Sequence, residues 1–169
     1  MGPKGKPAAG GSDEMKFLTL KVVGGEAPSN AVLSSRLAPF GCNPKKSGDE
    51  ISKQTKEYTN IRLYVTLHIQ SREIKKVDLL PCASSMIIKE LKEPVRQRKK
   101  KIAFTHSGNV QFKALKPIAE KMHATKSLSR SLKGTMLEVL GSCKAIGCTV
   151  DNKNPKTVTK EVKEGKYQI

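Results

Sequence analysis

The chain of 169 residues carries 32 Lys and Arg against 15 Asp and Glu, a formal net charge of +17 at pH 7. A surplus of that size makes a polyanion the default partner, nucleic acid before an acidic membrane surface. Aromatic residues make up 4% of the chain and Trp is absent, which argues against a base-stacking platform for single strands and for recognition of a folded nucleic acid by shape and backbone.

Further classes fall away on spacing. The four cysteines, Cys42, Cys82, Cys143 and Cys148, form no C-x-x-C pair and the three His are scattered, so no zinc site is expected. No apolar run approaches transmembrane length, and no secretory apolar segment follows the start. Reduced thiols in an intracellular protein with no membrane partner are therefore expected. No paired carboxylates or Cys/His pair marks an enzyme, and no cofactor is expected.

Taken in order, residues 1–15 are rich in Gly, Pro, Lys and Ala and read as a disordered basic tail. A strand is expected over Lys16 to Val23, ended by Gly24-Gly25. From Glu26 to Gly41 the chain carries Pro28, Pro39 and a short helical stretch, Asn30 to Leu37; this is either a connector or a pre-stiffened docking surface. Asn43-Pro44 looks like an N-cap followed by proline at the first helical position, opening a thin helix to about Glu57 with Ile51 as its strong apolar anchor. Ile61, Leu63, Val65, Leu67 and Ile69 alternate with polar residues, the pattern of a half-buried strand. Ser71-Arg72 turns the chain into a partner strand from Glu73 to Leu80. Residues 16–81 thus form a small N-terminal α+β domain of about three strands and one or two helices.

Pro81 marks a linker, after which residues 82–154 read as a compact helical domain. A helix from Ala83 is stopped by Pro94. The basic run Val95-Arg-Gln-Arg-Lys-Lys-Lys101 follows, with no acid between Glu93 and Glu120, so it is a free loop or pressed against phosphate. Ser107-Gly108-Asn109 reads as a tight turn before a helix from Phe112 to about Met122, either a plain N-cap turn or a set of exposed amides and a hydroxyl. A last helix is expected from Leu128 to Ile146, its apolar stripe carried by Leu128, Leu132, Met136 and Leu140. Its other face holds Gly141, Ser142, Lys144 and Ala145, which either permits tight helix packing or lets the backbone approach phosphate and ribose closely. Residues 155–169 are polar and Lys/Glu-rich and read as a loosely ordered tail.

The order of these features resembles the universal "eleven" family of large-subunit ribosomal proteins at the stalk base, known in eukaryotes as large-subunit protein twelve. The resemblance runs through Gly24-Gly25-Glu26, Asn43-Pro-Lys-Lys-Ser-Gly-Asp-Glu-Ile51 and Ile87-Ile-Lys-Glu-Leu-Lys-Glu-Pro94 with Arg98-Lys-Lys100. It continues through His106-Ser-Gly-Asn109, Leu132-Lys-Gly-Thr135 and Leu140-Gly-Ser-Cys-Lys-Ala-Ile-Gly-Cys148. The Lys-Glu-Pro basic loop followed by His-Ser-Gly-Asn is similar to the eukaryotic or archaeal branch. Ser35, Ala38, Ser142 and Cys143 depart from the family's usual Pro, Gly, Thr and Ala.

The resemblance implies a non-catalytic component of the large ribosomal subunit whose helical C-terminal domain binds large-subunit rRNA. RNA contact would fall on Ser107, Gly108 and Asn109, on Gly141, Ser142, Lys144 and Gly147, and on Arg98, Lys99 and Lys100. It implies an N-terminal domain, hinged about Pro81, that faces translational GTPases (the elongation factors) through Pro28, Pro39 and Gly41. Further expected partners are the acidic ribosomal protein neighbouring it at the stalk base, with no homo-oligomer. The expected location is the cytoplasmic ribosome, reached by nuclear and nucleolar passage during assembly. A rival from another class is a DNA-binding regulator with a helix-turn-helix-like C-terminal module. Against it, the last helix offers Gly, Ser and Ala rather than the Arg, Asn and Gln that read base edges.

Overall fold

The computed structural model describes residues 14–94 and 106–167. The basic run with Arg98, Lys99 and Lys100, and nearly all of the N-terminal tail, lie outside the described residues. The architecture is α+β, with two separate hydrophobic cores, one in each half of the chain.

The first half is an antiparallel sheet of three strands in the order β1-β2-β3: β1 Lys16–Val23, β2 Arg62–Gln70 and β3 Glu73–Leu80. The period-2 pattern of β2 decides its orientation: Leu63, Val65, Leu67 and Ile69 are all buried while the residues between them are not. Ser71 and Arg72 both adopt positive φ, 51° and 66°, the combination a two-residue hairpin loop needs to match strand twist. Helices α1 Asn30–Leu37 and α2 Pro44–Gln54 cover the inner face, contributing Leu33, Leu37 and Ile51 to that core. Asn43 caps α2, its side chain accepting from the Lys45 amide at 3.0 Å, with Pro44 at the first position as the sequence suggests. Gly24 is needed for space: a Cβ there would lie 2.0 Å from the Tyr58 carbonyl oxygen, so any other residue must push the backbone apart.

The second half is built from α3 Ala83–Leu91, α4 Phe112–Thr125, α5 Leu132–Ile146 and α6 Pro155–Lys163. Two short strands, β4 Asn109–Val110 and β5 Thr149–Val150, pair in parallel. The core gathers Met86, Ile87, Leu115, Met136, Val139, Leu140 and Val150. Cys143 and Cys148 are buried in it too, as small apolar residues, and the Cys148 thiol beside it together with burial pushes the Cys143 thiol well up.

Two expectations need correction. The loose tail expected over 155–169 instead begins with α6, whose Val158 and Val162 are fully buried in the same core as α5. Pro155 and two valines at i, i+4 carry most of that packing, and the surrounding Lys and Glu hide them in the sequence. The last long helix begins at Leu132 rather than Leu128, which is 99% exposed. The serines explain the later start. Ser127 Oγ accepts from the Ser129 amide at 3.2 Å, Ser129 Oγ from the Ser131 amide at 3.4 Å, and Ser131 Oγ from the Gly134 amide at 3.4 Å. Side chains thus take the donors that an earlier helix start would have needed.

The halves touch around the connection at Pro81. Ser85 Oγ donates to the Arg62 carbonyl at 2.6 Å, and the Lys89 ammonium lies 2.9 Å from Glu57 and 4.3 Å from the centre of the Tyr58 ring. Lys126 Nζ donates to the carbonyls of Leu80, at 3.3 Å, and Pro81, at 3.4 Å.

Candidate nucleic-acid interface

The chain places two distant stretches side by side at one end of α5. The Thr149 amide donates to the Gly108 carbonyl at 3.0 Å, and the His106 amide to the Ile146 carbonyl at 3.3 Å. Ser107, Gly108 and Asn109 therefore run alongside Gly147 and Thr149. His106 is itself held by Glu93, Nδ1 to Oε2 at 2.6 Å, which joins the end of α3 to the same place.

Ser107-Gly108-Asn109 is extended rather than the tight turn its composition suggests, because Asn109 enters β4. Gly108 is needed for space and not for an unusual φ: a Cβ would stand 2.6 Å from Leu91 Cδ2. Asn109 holds the fold directly, since its Oδ1 accepts from the Asn152 amide at 2.9 Å and from Thr149 Oγ1 at 3.2 Å. The α4 N-terminus takes its cap from Asp151, whose Oδ1 accepts from the Phe112 amide at 3.1 Å.

The helix α5 separates its two faces cleanly. Met136, Val139, Leu140 and Cys143 point into the core. Gly141, Lys144 and Ala145 are exposed, and nothing lies within 4 Å of a Cβ built on Gly141. Gly141 is therefore not there to let another helix of this chain pack closely. It leaves a bare stretch of helix backbone facing outward. Ser142 is half-buried and returns its hydroxyl to the Glu138 carbonyl at 3.2 Å. Gly147 ends the helix at φ 100°, where its amide bonds the Cys143 carbonyl at 3.0 Å; a left-handed residue at this position is the usual glycine stop.

Two residues at this surface were not legible in the sequence. Glu138 is exposed one turn before Ser142, and its carboxylate accepts from Ser127 Oγ at 2.9 Å, so a hydroxyl engages this acid. Lys156, at the start of α6, stands beside Lys144 and holds the Lys144 ammonium below the usual lysine range. Only the docking of α6 onto α5 brings those two charges together, which no local pattern signals.

Elsewhere, Pro39 and Gly41 are exposed and Pro28 is half-buried, on the stretch around α1. Gly41 has φ 66° and opens onto a groove of about 510 Å³ lined by Lys46, Arg72 and Glu73 among others. Among the described residues, no cluster of three or more His, Cys, Asp or Glu could hold a metal ion.

Comparison with known proteins agrees with this two-part layout. A family model described as "Ribosomal protein L11, N-terminal domain" matches residues 18–74, and one described as "Ribosomal protein L11, RNA binding domain" matches residues 80–150. The chain is 42% identical to large ribosomal subunit protein uL11A of Schizosaccharomyces pombe over 157 residues, covering 93% of this chain and 94% of that protein. It is 41% identical to the uL11 protein of Candida albicans and to uL11A of Saccharomyces cerevisiae, each over 93% of this chain and 94% of the relative. With both halves matched in order, the chain belongs to the ribosomal protein L11 family, and its second half is that family's RNA-binding domain.

Proposed function

We propose that this protein is a structural component of the large ribosomal subunit that grips a compact, folded segment of large-subunit rRNA at the stalk base. The observation that carries this is the outward face of α5: bare at Gly141, positive at Lys144, and flanked at its C-terminal end by Ser107-Gly108. A helix without long side chains lets RNA phosphates and riboses reach the backbone, while lysines supply charge neutralisation. Arg98, Lys99 and Lys100 add phosphate contacts, Ser142 and Gly147 line the same face, and Asn109 holds the contact strand in place. The role is non-catalytic.

The N-terminal half is carried over the site where translational GTPases dock, with Pro28, Pro39 and Gly41 on the side presented to them. The chain divides into an N-terminal domain over residues 16–81 and an RNA-binding domain from residue 82. The contacts of Ser85, Lys89 and Lys126 hold one arrangement of the two, and their exchange about Pro81 lets the first half follow factors that come and go. The acidic stalk protein is its neighbour, and the assembled protein works on the cytoplasmic ribosome after nucleolar passage. A DNA-reading role has no observation in its favour.

The test is a salt titration of the full chain with the folded stalk-base rRNA segment, a scrambled RNA of equal length and duplex DNA. Because α6 is part of the core, a fragment ending at Asn154 is not a fair substitute. Tighter binding to the folded RNA at every salt concentration is the expected result. Equal binding to all three, fading together with salt, reduces the interaction to net charge and removes the assigned contacts.

A further inference from the structure

Helix α6 lies beyond residues 80–150, the stretch matched by the RNA-binding domain model. Its core side is Pro155, Val158 and Val162. On the far side, Lys156, Lys160 and Lys163 recur at i, i+4 and i+7, which places them on one stripe of an α-helix, and all three are exposed. The two acids of the helix region do not answer this stripe. Glu161 is engaged by Lys153 at 3.0 Å and by the Tyr167 hydroxyl at 3.2 Å, and Glu164 by Lys166 at 2.7 Å. Among the described residues, Lys156, Lys160 and Lys163 have no carboxylate partner.

The stripe is continuous with the α5 face. The two helices run antiparallel: Lys133, at the start of α5, donates to the Lys163 carbonyl at 3.2 Å, while Lys144, at the other end, stands beside Lys156. Lys133 and Lys144 thus border the seam, with Gly141 on one side of it and the α6 lysines on the other. These five lysines, none with a carboxylate partner among the described residues, repel one another along the seam. Such an arrangement is relieved by an anion lying across it, and a row of phosphates spans the length of a two-turn helix stripe.

We propose that α6 is a second RNA-contact element, in which Lys156, Lys160 and Lys163 track a phosphate backbone leaving the α5 face. This rests on the reading of the α5 face as the rRNA interface and extends that interface onto an element outside the matched domain. The depressed Lys144 ammonium agrees with it, since a phosphate between Lys144 and Lys156 would offset the repulsion behind the shift.

The test uses the full chain with Lys156, Lys160 and Lys163 all changed to Ala, and a second triple variant with Arg at the same positions. Alanine is the better helix former, so the helix itself is not weakened. Binding to the folded stalk-base rRNA segment is measured from low to moderate salt. The Ala variant is expected to lose about two to three units of salt slope, close to 0.9 per phosphate, while the Arg variant keeps the parent's slope. An unchanged slope in the Ala variant, with the parent still preferring folded over scrambled RNA, overturns this inference alone. A parent that binds both RNAs alike removes the α5 reading and this inference with it. Loss of binding to poly-glutamate without loss of RNA slope assigns the stripe to an acidic protein partner and also overturns it.

Discussion

Asn109 and Asn152 are joined across the surface end of α5, the Asn152 amide donating to Asn109 Oδ1 at 2.9 Å. The same oxygen accepts from Thr149 Oγ1, so one side chain organises the turn that carries the chain from α5 into α6. Asn109→Ala removes the acceptor of the Asn152 amide and leaves the Thr149 hydroxyl only the Gly108 carbonyl, at 3.4 Å. The expected cost is about 1–2 kcal/mol of stability, read as a lower midpoint in urea unfolding, with RNA affinity falling as the strand loosens. If affinity falls while the unfolding midpoint is unmoved, Asn109 contacts RNA directly and its internal bonds are secondary.

Gly141→Leu separates fold from fit. Space around Gly141 is open, so the larger side chain meets nothing in this chain. Replacing glycine in a helix interior gains up to about 1 kcal/mol in helix propensity. Thermal stability should therefore hold or rise, while affinity for the folded rRNA segment drops at least about tenfold, or roughly 1.4 kcal/mol. A Leu variant that binds as tightly as the parent removes this helix face from the interface.

The elements of the first half were legible because each carries its own local signal. The alternation of β2, the Asn43-Pro44 cap and the Ser71-Arg72 turn are decided within a few residues of one another. Of the site, the open face of α5 could be read from Gly141 and Lys144. The partnership of Gly108 with Thr149 could not, since it joins positions 41 residues apart and depends on a parallel pairing of only two residues a side. The same limit hid α6, where tertiary burial of Val158 and Val162 outweighs a Lys/Glu-rich composition. It hid the shortened start of α5 as well, where serine hydroxyls compete with the helix for amides.

Gly24 makes a prediction confined to the first half. Its amide donates to the Ile61 carbonyl at 2.9 Å, and its carbonyl accepts from the Asn60 amide at 2.9 Å, so the backbones lie flat against each other. A Cβ would sit 2.0 Å from the Tyr58 carbonyl oxygen, and backbone cannot rotate away as a side chain can. Gly24→Ala should destabilise the N-terminal core by about 1–3 kcal/mol. Amide exchange should quicken across β1 and β2 and leave α5 protected. Unchanged protection in β1 would show that the segment from Tyr58 to Ile61 can shift without cost.

The Lys144–Lys156 pair gives a pH dependence of definite sign. The Lys156 ammonium lowers the Lys144 pKa in the folded chain below its ordinary 10.5. In the window between the folded and unfolded values the unfolded chain binds more protons, so stability rises with pH there. The repulsion is fully present at neutral pH and is relieved as Lys144 loses its proton. Lys156→Ala should raise the Lys144 pKa, followed by NMR titration of the side-chain carbon next to Nζ. It should also flatten the rise in stability on the alkaline side. A Lys144 pKa that does not move in this variant would mean the two ammonium groups keep apart in solution.

Val158 tests whether α6 belongs to the fold. Its side chain is fully buried in the cluster that also holds Met136, Val139 and Leu140. Val158→Ala removes two buried methyl groups and leaves a cavity that neighbouring helices fill only in part, a loss of about 2 kcal/mol. Lys160, one turn after Lys156 on the exposed side, offers the control, since Lys160→Ala touches no core contact. Chemical denaturation of the full chain should show the valine variant shifted and the lysine variant close to the parent. Equal midpoints for all three would return the segment after Asn154 to the status of a loose tail, and the RNA-contact stripe on α6 would lose the rigid support it needs.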